Sequence, residues 1–247
     1  MKAQNLKEFM AWQPPYQSYI IDHGILLPQT KLILFGRWQT WKSMITMHTA
    51  YVLATGKPWF GFETKLSSVY ILQTEIPKAQ FQLRNRKYID GNKTYPDNIY
   101  FRTEYYIKLD KPFGGADIEK ELQETHPQVL IIDPLYSIMS GKVVDEYDIR
   151  KLTDWLNQMI DKYKVAVILV HHDRKPIVVG GEIYSSADDM FGSSILLDWC
   201  DTSIRTTNTD KDGEVILTFE KVRHAEEELK PIKIKVSRAD LTFSMIP

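Results

Sequence analysis

Gly36-Arg-Trp-Gln-Thr-Trp-Lys-Ser43 is the stretch on which the fold of this chain turns. It meets the phosphate-loop pattern G-x-x-x-x-G-K-[ST] at Gly36, Lys42 and Ser43, with Trp41 where the second glycine belongs. The flanks support the match. Lys31-Leu-Ile-Leu-Phe35 is a short run that reads as a buried strand, and Ser43 to Ala54 reads as a helix closed by Gly56. In a strand–loop–helix context, the backbone N–H groups from Gly36 through Arg37, Trp38, Gln39, Thr40, Trp41, Lys42, Ser43 and Met44 form an anion cradle at a helix N-terminus. Lys42 is then placed for the β- and γ-phosphates, and the Ser43 hydroxyl for Mg²⁺. Trp41 weighs against the motif, because glycine supplies a backbone freedom there that other residues lack.

Outward from the loop, strands and helices alternate. Ser68–Thr74 reads as a strand, Pro77–Tyr88 as a helix with proline in its first turn, and Asn98–Arg102 as a strand. A helix around Ile118–Thr125 leads into Val129-Leu-Ile-Ile-Asp133, an unbroken apolar run of the central parallel type. Ile149, Leu152, Leu156, Met159, Ile160 and Tyr163 recur at helical spacing across 146–163, before a further buried strand at Val165–Val170. The tail reads differently. Thr202–Thr206, Glu214–Val222, Ile232–Val236 and Leu241–Met245 are strand-like, with Asp210-Lys-Asp-Gly213 marking a hairpin. The pattern predicts an α/β fold, a mostly parallel sheet flanked by helices with antiparallel C-terminal strands extending one edge. Residues 1–25 read as an N-terminal extension and 26–247 as one domain.

Composition narrows the partners. The 247 residues are 43% hydrophobic and 26% charged with a net charge of −1, so any nucleic-acid surface must be a local patch. The single cysteine, Cys200, excludes an internal disulfide and fits a reducing cytoplasm; its apolar neighbours make it a small buried hydrophobe. No apolar stretch approaches the ~20 residues of a membrane span, and residues 1–8 carry no apolar signal core.

Three further positions gather round the loop. Asp133 ends an apolar strand, where a nucleotide site needs a carboxylate to orient Mg²⁺ and its water. Glu75 ends the strand after the loop's helix, at the sheet edge that lines the ligand crevice, and is the candidate general base. His171 and His172 end the next strand, within reach of a γ-phosphate.

With these residues in hand, the chain resembles the RecA-like ATPases, and among them the RepA/DnaB-type hexameric helicases of phages and mobile elements. The resemblance runs from about Ile20 onward and rests on Gly36–Ser43, Tyr70–Glu75, Val129–Asp133, Ile168–His172, Gly192-Ser-Ser194 and Lys221-Val-Arg223. It implies ATP and Mg²⁺ as ligands, Glu75 as catalytic base and His172 as γ-phosphate sensor. It also implies Lys221 and Arg223 as a K-x-R pair acting on a neighbouring subunit's nucleotide, hence a homo-oligomer, most simply a hexamer. Trp41 departs from the family's usual glycine.

Asp173–Phe191 has no clear period and carries Arg174, Lys175, Gly180, Gly181 and Tyr184. The resemblance places this loop at a central pore that grips single-stranded DNA. Asp173, Glu182, Asp188 and Asp189 offset its cations, so no strongly basic groove is visible. Two function classes stand at this point: an ATP-driven helicase-like motor or remodeller on single-stranded DNA in replication or recombination, and an ATP-binding loader or regulatory module with slow or no hydrolysis.

Overall fold

The structure is a computed structural model that describes residues 3–13, 19–143, 145–173, 177–179, 182–184 and 195–246. A short helix α1 (Leu6–Ala11) precedes β1 (Lys31–Gly36), α2 (Lys42–Thr55), β2 (Val69–Gln73), α3 (Lys78–Asn92), β3 (Ile99–Thr103), α4 (Pro112–Thr125) and β4 (Val129–Asp133). After a 3-10 turn at Leu135–Ile138 come α5 (Glu146–Tyr163), β5 (Ala166–His172), β6 (Ile177–Val179), β7 (Glu182–Tyr184) and α6 (Ile195–Trp199). Strands β8 (Thr202–Asn208), β9 (Glu214–Val222), β10 (Ile232–Val236) and β11 (Phe243–Ile246) close the chain.

The described strands form a nine-stranded sheet of order β11-β10-β9-β8-β1-β5-β4-β2-β3, with β6 and β7 as a separate antiparallel pair. The six strands from β8 to β3 run parallel, and β9, β10 and β11 are antiparallel. This corrects the sequence expectation for Thr202–Thr206. That strand joins the parallel sheet beside β1, because α6 carries the chain over before it, and the antiparallel portion begins only at β9.

The apolar runs of β1, β4 and β5 are central because helices cover both faces, and alternate residues feed two cores. Ile33, Phe35, Leu130, Ile132, Val167 and Leu169 meet Ile118 and Leu122 of α4 and Ile149, Leu152 and Leu156 of α5. Leu32, Leu34, Val129, Ile131 and Ile168 meet Ile45 and Leu53 of α2 and Phe81 of α3 on the other face. Each such fully buried aliphatic side chain contributes about 1.5–3 kcal/mol. Ile20, Ile21 and Ile25 are buried in this second core, and Ile21 bridges to Leu26 and Thr64, so the segment just before residue 26 packs as part of the globule.

Parallel order decides where function can sit. Gly36 pairs with His172 and with Thr206, and Gln73 with Asp133, so the strand ends carrying the loop, Glu75, Asp133 and His172 lie along one sheet edge.

Candidate nucleotide-binding site

The loop between β1 and α2 is built by close approach. Gly36 has φ +156, and a Cβ there would lie 2.3 Å from Thr206 Oγ1 and 2.5 Å from its carbonyl oxygen, so only glycine fits against β8. Thr40 Oγ1 donates to the Arg37 carbonyl at 2.7 Å and sits 2.7 Å from Thr206 Oγ1, while Asn208 Nδ2 donates to the Gln39 carbonyl at 3.1 Å. β8 therefore clasps the loop through two residues.

Trp41 caps α2 with φ +64 and ψ +10, the left-handed conformation that glycine adopts freely. Its half-buried ring packs against the cluster that includes Met44 and Leu241, and this packing holds a strained backbone in the loop shape. A stability series separates the two effects. Trp41→Ala loses the ring and keeps the strained φ, whereas Trp41→Gly loses the ring alone. The glycine variant should exceed the alanine variant by roughly 1 kcal/mol in urea unfolding; the reverse order would mean that the loop is not held left-handed.

Lys42 is 5% exposed. Its ammonium donates to the carbonyls of Gly36 (2.9 Å) and Arg37 (2.5 Å) and to Thr40 Oγ1 (3.3 Å), folding the side chain along the loop. Burial lowers its pKa to about 8 against the raising influence of Asp133, Asp173 and Glu75. Asp133 is 3% exposed, and burial pushes its pKa up to about 6 while a hydrogen bond from Ser43 opposes that rise. Its Oδ1 is buried without a hydrogen-bond partner among the described residues. A buried carboxylate oxygen with no proton donor, bonded through its group to a serine hydroxyl, is the donor set a hard cation takes alongside phosphate oxygens. Ser43 and Asp133 thus fit Mg²⁺.

Glu75 follows β2 on a turn fixed by Gln73, whose buried Oε1 accepts from Glu75 N (3.0 Å) and Ile76 N (2.8 Å). The exposed Glu75 carboxylate raises the Tyr136 phenol's pKa, after burial does. The Tyr136 ring lies 5.6 Å from that of His172. His172 is half-buried and its pKa is lowered, first by burial and then by Lys42. Of the histidine pair, His172 lines the cleft, while His171 is buried on the other pleat of β5.

These groups surround one cleft of about 1190 Å³ whose walls include the loop from Trp38 to Met44, Glu75, Asp133 and His172. Sequence reasoning missed Tyr136, coupled electrostatically to Glu75, and, in the cleft wall, Arg84 and Lys87 from α3, the 208–213 turn, and Arg238. Arg84 and Lys87 are three apart, one face of a helix already identified, and that spacing was the available signal.

Lys221 and Arg223 do not join them. β9 runs antiparallel to β8 with Lys221 opposite Ser203, toward the other end of the strands, roughly 10 Å along them from the Gly36 level. Lys221 Nζ donates to the Leu197 (2.5 Å) and Cys200 (2.7 Å) carbonyls, capping the end of α6. Arg223, its side chain 47% exposed, pairs with Asp201 at 2.8 Å. Arg174, Lys175, Gly180, Gly181 and Gly192-Ser-Ser194 lie outside the described residues, and Tyr184 is described only as part of the β7 backbone.

A family profile described as an AAA domain matches residues 2–177, and the chain belongs to that family. Its RecA-like fold is shared by solved structures of ATPase, helicase and recombinase chains. One of them, described as an ATPase domain, superposes with a TM-score of 0.67 at 12% identity, covering 89% of this chain and 85% of that one. A DnaB-like replicative helicase, described with its interactions with primase, gives 0.65 at 12% identity over 87% of this chain and 58% of that one. The RadB recombinase gives 0.58 at 14% identity over 86% and 90%. Comparison with curated protein sequences gives no match.

Proposed function

We propose that this chain is an Mg²⁺-dependent ATPase that works as an oligomeric motor or remodeller on single-stranded DNA. The observation that carries the reading is the convergence of Lys42, Ser43, Asp133, Glu75 and His172 on one cleft from separate strand ends. Lys42 and the loop N–H groups hold the β- and γ-phosphates. Mg²⁺ on Ser43 and Asp133 supplies charge neutralisation of the phosphate oxygens. Glu75 accepts a proton from the water whose oxygen bonds to the γ-phosphorus, the bond to the β-phosphate oxygen breaks, and ADP leaves with that electron pair. His172 hydrogen-bonds the γ-phosphate.

The position of Lys221 and Arg223 supports action in trans. Cations at the sheet end remote from their own loop are out of reach of their own nucleotide, and their service to a neighbour's requires a head-to-tail ring, a hexamer in this proposal. Arg223 would exchange Asp201 for that phosphate. The DNA contact is assigned to Arg174, Lys175, Gly180 and Gly181, on the segment directly after His172, where sensor and loop are coupled by adjacency. Residues 26–247 are read as the ATPase domain, 1–25 as its extension, and the site of action as the cytoplasm. No helix among the described residues is long and apolar enough to cross a membrane.

A loader or regulatory module with slow hydrolysis is favoured by one observation, the strained Trp41 in the loop. Steady-state ATPase measured with and without single-stranded DNA, with the mass of the assembly recorded in Mg²⁺-ATP, separates the two. The motor reading expects a multimer and a DNA-stimulated rate that falls with salt. A monomer with DNA-independent turnover would leave the module.

A further inference from the structure

The cleft is lined by two chemically different sets of residues. Lys42, Ser43, Asp133, Glu75 and His172 are the set that, under the nucleotide reading above, takes the triphosphate. Trp41, Asp212, Arg238 and Leu241 line the same cleft. Arg238 lies over the Trp41 ring with its guanidinium carbon 4.8 Å from the ring centroid. Its Nε and Nη2 donate to the two Asp212 carboxylate oxygens at 3.0 and 2.7 Å.

This wall is braced on three sides. Asn208 ties the end of β8 to the Gln39 carbonyl of the loop at 3.1 Å. Val236 N donates to the Gly213 carbonyl at 2.8 Å, and a Cβ on Gly213 would lie 2.7 Å from the Val236 oxygen, so the turn bearing Asp212 is pressed onto the strand leading to Arg238. A Cβ on Gly91 would lie 2.7 Å from Asp240, so α3 backs the turn that follows Arg238.

We propose that Trp41, Asp212 and Arg238 form the nucleobase subsite of the cleft, a planar platform that takes a purine ring on the guanidinium face opposite Trp41. The proposal rests on the nucleotide reading. A guanidinium has one plane and two faces; here Asp212 occupies its donor edge and Trp41 one face, which leaves the other for a second flat π-system. Asp212 also cancels the charge of Arg238, so the residue serves as a stacking plate and not as a phosphate clamp. It further gives a role to the tryptophan that stands where the loop motif has glycine: the ring supports the platform that the base meets. A purine covers more of the plate than a pyrimidine.

Calorimetric titration of the full chain with Mg²⁺ and ATP, CTP or inorganic tripolyphosphate tests this. Wild type should bind ATP more tightly than CTP or tripolyphosphate. Arg238 is 65% exposed, so its variants should fold, which thermal unfolding checks. Arg238→Ala and Arg238→Lys should each weaken ATP by about tenfold, the size of one lost stack, and leave tripolyphosphate affinity unchanged. Lysine keeps the charge without the plane, so ATP affinity restored by Arg238→Lys would overturn the proposal. So would an equal loss of tripolyphosphate affinity, or one affinity for all three ligands in wild type; each of these leaves the phosphate loop standing. Wild type that binds none of the three overturns both readings.

Discussion

Lys42→Ala is expected to lower ATP turnover by about 10²–10³-fold, the cost of removing one charged donor from the transferring phosphoryl group. The ammonium is already held at the loop by the Gly36 and Arg37 carbonyls, so binding requires only a change of partner over a short path. A pH signature accompanies the loss. Burial lowers the Lys42 pKa to about 8, so near that pH the free protein carries the amine partly deprotonated. A triphosphate beside it favours the charged form and raises that pKa. ATP binding at pH 8 should therefore take up protons, visible as a dependence of the calorimetric heat on the buffer's ionisation enthalpy, and affinity should fall as pH rises past 8. Lys42→Ala should abolish the proton uptake together with turnover. Full ATPase activity in that variant would end the phosphate-loop reading.

Much of this site was legible in the sequence because its chemistry sits at the ends of apolar runs. Val129–Asp133 is the same element in sequence and structure, and so are Glu146–Tyr163, Glu214–Val222 and Ile232–Val236, since each has one dominant period and clear ends. The helices Lys78–Asn92 and Pro112–Thr125 outrun their expected bounds: the first runs through Gly91 to a left-handed cap at Lys93, and the second starts at Pro112, in the first-turn position proline favours. What stayed hidden is long-range. Nothing near Thr202 says that its strand will lie beside β1, because that pairing joins residues some 170 apart in the chain. For the same reason the approach of Asp212 and Arg238 to Trp41, across some 170 to 200 residues, depends on strand order that no local pattern encodes. Trp41 itself was visible as a departure from the motif, whereas its left-handed φ and the ring packing that offsets it belong to the folded state. The K-x-R pair was legible as a motif; its place at the sheet end remote from the loop follows only from β9 running antiparallel to β8.

Glu75→Gln is expected to separate binding from chemistry. Glutamine has nearly the same shape, and the turn is fixed by Gln73 through backbone N–H groups that the substitution leaves in place. The fold, the loop and Lys42 should therefore be undisturbed, and Mg²⁺-ATP should bind as in wild type or more tightly, since one negative charge facing the triphosphate is gone. An amide cannot take the proton from an attacking water at neutral pH. Turnover should accordingly fall by about 10²-fold or more, the range for a lost general base. Single-turnover measurement places the loss in the chemical step: bound ATP should persist uncleaved on a variant whose unfolding midpoint matches wild type. Tyr136→Phe provides the internal comparison, because it removes the phenol hydroxyl whose pKa Glu75 raises and keeps the carboxylate itself, so its effect on kcat should be the smaller of the two. If kcat in Glu75→Gln equals that of wild type, Glu75 is a turn residue and the base must be sought among the other groups that line the cleft.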